Sequence, residues 1–106
     1  MHPCAQGAFD MARMVLIVHG IVQGVGYRWL VKRAADAHHI CGFVRNMEDG
    51  SVMVVADGDA HSMRSFREAI YVDLPQGPQV MAIGEDAAAA KRLSREKYDG
   101  FYIACD

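Results

Sequence analysis

The stretch MVLIVHGIVQGVGYRWLVKRAADAHH, residues 14–39, changes from a strand pattern to a helix pattern across three glycines. Residues 14–20 are apolar and rich in β-branched side chains, which is typical of a strand, and the glycine-rich segment then ends it. Over residues 27–39, apolar side chains recur at helical spacing and charged side chains occupy the other faces. The stretch therefore predicts a strand, a glycine-rich turn and a helix.

The next part of the chain predicts a hairpin followed by a second helix. Residues 40–47 and 51–57 have strand patterns and flank the sequence EDG, and Asp-Gly between two apolar runs is a hairpin signal. Residues 59–71 place three large apolar side chains on one helical face, and Asp59 is a candidate N-cap for this helix. Those three side chains are Met63, Phe66 and Ile70.

Short strand patterns at 79–84 and 100–105 complete the order β-α-β-β-α-β with an extra terminal strand. This order predicts an α+β fold, a ferredoxin-like two-layer sandwich in which an antiparallel sheet carries both helices on one face. We also expect the second strand to lie next to the first in this sheet.

Two segments do not fit the alternation. Residues 85–99 have helix propensity without an apolar stripe, so we expect a partly helical or mobile connection. Residues 1–13 show neither period nor caps and are predicted to be a disordered leader or tag outside the core. The predicted domain is then 14–106.

Composition and charge limit the classes of partner. The chain has 106 residues, enough for one small domain, and a formal net charge of −2, which argues against nucleic acid or an anionic membrane as the main partner. It contains no apolar run long enough to span a bilayer and does not begin with a secretory signal pattern. We therefore expect a cytoplasmic protein whose cysteines, Cys4, Cys41 and Cys105, are reduced thiols.

The glycine-rich turn is a candidate anion site. Successive N–H groups in such a turn can point into one concavity, and the start of the following helix adds unpaired donors with partial positive charge. Arg28 lies in the first helical turn, where its guanidinium could fork two charge-assisted hydrogen bonds onto the same anion. Ordinary turn geometry and a solvated arginine also explain this spacing. The order of glycines matches neither a Walker loop nor a dinucleotide fingerprint.

Two longer motifs make the chain resemble the acylphosphatase family. GIVQGVGYR (20–28) matches the family's first signature, and GFVRNMEDGSVMVVADG (42–58) matches the second. GPQV (77–80) and the terminal FYI (101–103) are similar to the family's fourth and closing strands. The resemblance covers the chain from about Met14 to its end and implies the same ferredoxin-like fold.

The resemblance also implies an activity and a set of site residues. The expected reaction is hydrolysis of an acyl phosphate to a carboxylate and inorganic phosphate, by a monomer without metal or other cofactor. Asn46 is expected to orient the attacking water, and inorganic phosphate or sulfate to act as product or inhibitor. By similarity, the phosphoryl group is bound by Arg28 and by the backbone amides of Gln23, Gly24, Val25, Gly26 and Tyr27.

Two alternatives and one departure remain at this point. A domain that handles carbamoyl phosphate carries a similar loop, and a non-catalytic ferredoxin-like module shares the fold. The neighbouring residues His38, His39 and Cys41 lack a fourth ligand at a recognised spacing, so no metal site is expected. Most family members end the first helix with glycine, whereas this chain has His39, so a non-glycine residue must take the left-handed cap or the helix must end differently.

Overall fold

The computed structural model describes residues 11–105, which form a five-stranded sheet in the order β4-β1-β3-β2-β5. The strand β3 lies in the middle and pairs antiparallel with both β1 and β2, while β4 pairs antiparallel with the outer side of β1. The strands are β1 (Ala12–Ile21), β2 (Cys41–Asn46), β3 (Val52–Gly58), β4 (Gln79–Glu85) and β5 (Phe101–Ile103).

Two helices cover one face of the sheet, as the sequence predicted. They are α1 (Tyr27–Ala37) and α2 (Ala60–Ile70). The side chain of Asp59 accepts a hydrogen bond from the Ser62 amide at 2.8 Å, which confirms the predicted N-cap of α2. The main core lies between the helices and the sheet, and alternate strand residues supply it because successive side chains point to opposite faces. It includes Leu16, Val18, Val31, Val44, Val54, Phe66 and Ile70.

The predicted fold class is confirmed, but two details of the sheet differ from the expectation. The terminal strand β5 runs parallel to β2, so the sheet is mixed at one edge rather than wholly antiparallel. The second strand does not lie next to the first, because β3 pairs with both of them and separates them. The hairpin signal establishes that β2 and β3 are neighbours, but it leaves open which of the two strands pairs with β1.

A third helix packs on the opposite face of the sheet. The segment 85–99 contains α3 (Ala87–Arg92), so the expectation of a partly helical connection is confirmed. Ala89 of α3 forms a small second cluster with Val15 and Val55, whose side chains point away from the main core. The cluster is small because α3 has six residues, of which Ala89 is the buried one.

Arg13 joins the turn after α3 to the sheet. Its guanidinium donates to both carboxylate oxygens of Asp57 at 2.6 and 2.7 Å and also to the carbonyls of Leu93 and Glu96. The predicted leader, residues 1–13, is therefore too long, because Ala12 and Arg13 belong to β1. Because its charge is paired with Asp57, Arg13 is part of the folded domain. Residues 1–10 lie outside the described part of the chain.

The structure decides two further expectations about single residues. His39 has a φ of 57°, so a non-glycine residue takes the left-handed position after α1. Cys41 is buried at the start of β2, while Cys105 is free and exposed, as expected for a reduced thiol. Cys4 lies outside the described residues.

Gly42 allows β2 to approach β3 with no side chain between them. Its φ is 138°, and a Cβ atom built at this position would lie 1.8 Å from the carbonyl oxygen of Val55. A side chain here would force the two backbones apart at the centre of the sheet. Gly84 on the edge strand β4 is different, because a Cβ there would meet nothing within 4 Å.

We expect Gly42→Ala to destabilise the domain by at least about 2–3 kcal/mol, because the new methyl group combines a backbone collision with an unfavourable φ. The control is Gly84→Ala, which should change the free energy of unfolding by less than about 0.5 kcal/mol. Urea unfolding followed by far-UV circular dichroism measures both. Equal losses in the two variants would contradict the close approach.

Candidate active site

The segment between β1 and α1, residues 22–26, forms an exposed loop with buried anchors on either side of its glycines. Val22 is 2 % exposed and belongs to the main core, and Val25 packs against that core. Tyr27 is 1 % exposed, and its hydroxyl donates to the carbonyl of Ile70 at 2.8 Å. Burial raises the pKa of the Tyr27 phenol, so it stays a neutral donor. The loop is thus held in place by its apolar and aromatic residues.

Gly24 and Gly26 give the loop its backbone conformation. Their φ values are 75° and 81°, in the left-handed region that favours glycine, and a Cβ at either position would meet nothing within 4 Å. The glycines are therefore required by backbone geometry rather than by lack of space. Gly26 is the N-cap of α1 and offers no side-chain cap. The first N–H groups of α1 have no partner within the helix, so an anion is a suitable partner for them.

Arg28 is the second residue of α1 and is half-buried. Its place in the first turn puts its positive charge at the end of the helix where the peptide dipole is also positive. The first turn of α1 contains no acidic residue of its own. The start of α1 therefore combines a guanidinium with backbone donors, which is a chemistry suited to a phosphoryl group.

Asn46 is the last residue of β2 and pairs with Val52 in the sheet. Its side chain is half-buried, with Oδ1 inaccessible to solvent. The hairpin turn that follows is closed by a hydrogen bond from the Met47 amide to the Ser51 carbonyl at 2.9 Å. Asn46 therefore lies directly before a well-defined turn.

A carboxylate inside the hairpin turn holds its conformation. Asp49 Oδ1 accepts hydrogen bonds from the amide and the hydroxyl of Ser51, at 2.9 and 2.5 Å. These hydrogen bonds lower the pKa of Asp49 below its usual range. A lowered pKa means that the contact is present at neutral pH and is lost only in acid.

The side chain of Gln23 joins the loop to this hairpin. Its Nε2 donates to the carbonyl of Met47 at 2.7 Å and to the carbonyl of Ser51 at 2.8 Å. Both acceptors belong to the pair of residues that closes the turn after Asn46. The loop and the end of β2 are therefore neighbours in space, although β3 lies between β1 and β2 in the sheet.

The sequence-predicted residues thus occupy two connected elements. The loop and Arg28 follow β1, Asn46 ends β2, and the Gln23 amide connects the two elements. Gln23 and Tyr27 are expected from the sequence to act through their backbone amides, and the structure shows that the Tyr27 side chain is buried. The contacts of the Gln23 side chain with the hairpin were not predicted. The sequence shows only that Gln23 lies in the GIVQGVGYR motif, and this does not indicate which distant residues it contacts.

The loop lies at the surface, where Gly24 and Gly26 are exposed. A groove of about 730 Å³ lies elsewhere, between α3 and the start of β1, where its lining includes Arg13, Asp57, Lys91 and Tyr98. None of the loop residues, Arg28 or Asn46 lines that groove. A phosphoryl group is small and strongly charged, so fixed donors at a helix start can hold it without an apolar cavity.

Within residues 11–105, no group of three or more His, Cys, Asp or Glu side chains is placed to hold a metal ion. The helices of the same region lack the combination of length and apolar character that a membrane span requires.

Comparison with known proteins agrees with this architecture. The family model described as Acylphosphatase matches residues 14–103. The chain is 33 % identical over 93 residues to an acylphosphatase from Thermotoga petrophila, covering 88 % of this chain and 97 % of that protein. The crystal structure of an acylphosphatase from Bacillus subtilis superposes with a TM-score of 0.72 at 32 % identity, covering 90 % of this chain and 99 % of the other.

A part of a larger protein is also similar. The crystal structure of T. kodakarensis HypF matches with a TM-score of 0.70 at 26 % identity, covering 88 % of this chain but 12 % of that one. The family match, by contrast, covers nearly the whole described region, and the relatives named above are matched over almost their full length. The chain belongs to the acylphosphatase family.

Proposed function

We propose that this chain, a hydrolase by its family, cleaves carboxyl-phosphate anhydrides to a carboxylate and inorganic phosphate at the loop between β1 and α1. In this proposal Arg28 and the backbone N–H groups of residues 23–27 hold the phosphoryl oxygens. Asn46 orients the attacking water. The observation that carries the assignment is the pair of hydrogen bonds from Gln23 to the hairpin, because they bring the anion cradle next to Asn46.

The chemistry of the reaction suits so sparse a site. A carboxylate leaves without needing a proton, so the reaction does not require a general acid. The transition state of phosphoryl transfer is loose, and catalysis rests on holding the equatorial oxygens and placing the water in line. In the proposed site, preorganised N–H donors and the Arg28 guanidinium hold the equatorial oxygens. The half-buried amide of Asn46 places the water.

Carbamoyl phosphate is the second candidate substrate. It is also a carboxyl-phosphate mixed anhydride, so the same cradle would hold its phosphoryl group. The reason to test it is the loop, since the sequence of residues 20–28 is similar to the loop of a domain that handles carbamoyl phosphate. If neither compound is hydrolysed, we would conclude that the chain is the non-catalytic ferredoxin-like module considered from the sequence.

We further propose that the active species is a monomer that binds no nucleic acid and releases inorganic phosphate. The loop, Arg28 and Asn46 all come from one chain, so a single copy can carry the reaction. The formal net charge of −2 is unfavourable for a nucleic-acid partner. A cytoplasmic location stays a prediction.

The first test is phosphate release from benzoyl phosphate and from carbamoyl phosphate, each measured with and without a chelator. We expect turnover that survives the chelator and varies little between about pH 5 and 8, because no titrating side chain has a chemical role. The lowered pKa of Asp49 keeps its hairpin contacts intact across that range. Absence of turnover with both substrates would contradict the proposal, and a steep bell-shaped profile would indicate a missed acid or base.

Arg28→Gln should weaken both substrate turnover and competitive inhibition by inorganic phosphate. The guanidinium contacts the phosphoryl group in the bound and transition states, and each charge-assisted hydrogen bond is worth about 1.5–3 kcal/mol. Arg28→Lys should recover only part of the loss, because an ammonium group cannot form the planar fork. The exposed Arg95 provides the control variant Arg95→Gln. Wild-type phosphate inhibition in folded Arg28→Gln would refute this role.

Asn46→Ala should lower kcat by about 10²–10³ while leaving inhibition by phosphate within a few-fold of wild type. The reason is that Asn46 acts on the water and not on the phosphoryl group. The far-UV spectrum and Tm must first match those of the wild type, because Asn46 also ends β2. Near-normal kcat in a folded variant would show that the water is oriented by another group.

A further inference from the structure

The side-chain amide of Gln23 has a role in the structure that the loop's backbone donors do not have. Its Nε2 carries two hydrogens, and two carbonyl oxygens lie at hydrogen-bond distance, Met47 at 2.7 Å and Ser51 at 2.8 Å. Each acceptor already takes part in the hairpin: Met47 O accepts from the Gly50 amide and Ser51 O from the Met47 amide. Gln23 therefore spans both sides of the turn.

We propose that Gln23 is a positioning residue that sets the distance between the phosphoryl cradle and the water oriented by Asn46. The proposal rests on the function proposed above and adds a residue that acts through Asn46 rather than on the substrate. Its two acceptors belong to the residue after Asn46 and to the residue before Val52, the sheet partner of Asn46. A shift of the hairpin relative to the loop would therefore move Asn46 relative to the bound phosphoryl group.

The hairpin is held firmly by its own contacts, so the hydrogen bonds from Gln23 can fix its position relative to the loop. Ser51 is 3 % exposed, and its amide and hydroxyl both donate to Asp49. The loop is equally well anchored by Val22 and Tyr27, which are 2 % and 1 % exposed. Two rigid elements joined by a bidentate amide keep one relative position. A reaction that needs a water in line depends on that position far more than phosphate binding does.

The consequence is a particular pattern of kinetic damage. Without the amide, the loop keeps its own N–H groups and Arg28, so affinity for phosphate should change little. The water would be misplaced more often, so kcat should fall. A misplacement of about 1 Å can cost up to about 10²-fold in rate. For Gln23 we expect a loss of kcat of about 10-fold, with phosphate inhibition within about 3-fold of wild type.

The experiment compares Gln23→Met, which keeps the length of the side chain but removes both donors, with wild type in the benzoyl phosphate assay. The matched control is Gln79→Met, because the Gln79 amide donates to the Pro75 carbonyl at 3.5 Å and not to the hairpin. Gln23→Asn is the second variant and replaces Gln23→Met where the latter does not fold. Its amide is one methylene shorter and cannot reach both carbonyls.

A double variant separates a positioning role from a merely structural one. If Gln23 acts by placing Asn46, adding Gln23→Met to Asn46→Ala should lower kcat by less than about 2-fold, since the group being positioned is already absent. A general loosening of the fold would instead multiply the two losses and lower the Tm. Each variant is therefore also measured for Tm and for inhibition by inorganic phosphate.

Three results would overturn the inference. The first is a folded Gln23→Met with kcat within about 2-fold of Gln79→Met, the second is multiplicative losses in the double variant, and the third is phosphate affinity falling as far as kcat. All three presuppose a wild-type protein that hydrolyses benzoyl phosphate. Absence of turnover in the wild type is the separate result that rejects the proposed function itself.

Discussion

The pairing of β3 with both β1 and β2 is the constraint on which the rest of the structure depends. Val52, Val54, Val55 and Ala56 of this strand are 0 % exposed, so β3 is buried between elements on both faces of the sheet. With β3 in the middle, the ends of β1 and β2 lie two strand spacings apart, roughly 10 Å. A site built from the residues that follow these two strands must therefore bridge that gap.

The loop between β1 and α1 provides the bridge. It leaves β1 at Val22 and enters α1 at Tyr27, and the Gln23 amide reaches the hairpin after Asn46 on the way. The loop proposed to hold the anion is thereby joined to the hairpin that directly follows Asn46. Acyl phosphate hydrolysis needs little more, because the leaving carboxylate requires no acid and the loose transition state requires placed donors and a placed water.

Much of the fold was predictable from local patterns. The strand-to-helix change at the glycines, the Asp-Gly hairpin and the Asp59 cap depend on neighbouring residues, and the structure confirms each of them.

The order of strands in the sheet was predicted wrongly, because it depends on which strand pairs with β1, a contact between distant segments. The Arg13–Asp57 pair and the packing of α3 on the second face are also long-range, and no sequence spacing indicates them. For the proposed site, the motifs predict the loop, Arg28 and Asn46, and these roles stay predictions, while the contacts of Gln23 required coordinates.

The most direct measurement of the central claim is a crystal structure of the protein with a bound phosphoryl transition-state mimic such as vanadate. We predict an anion held by the backbone N–H groups of residues 23–27 and by Arg28, with Asn46 contacting the apical oxygen that replaces the attacking water. We also predict that the Gln23 amide keeps its contacts to Met47 and Ser51. Binding of the anion elsewhere, for example in the groove beside Arg13, with the loop empty would contradict the account.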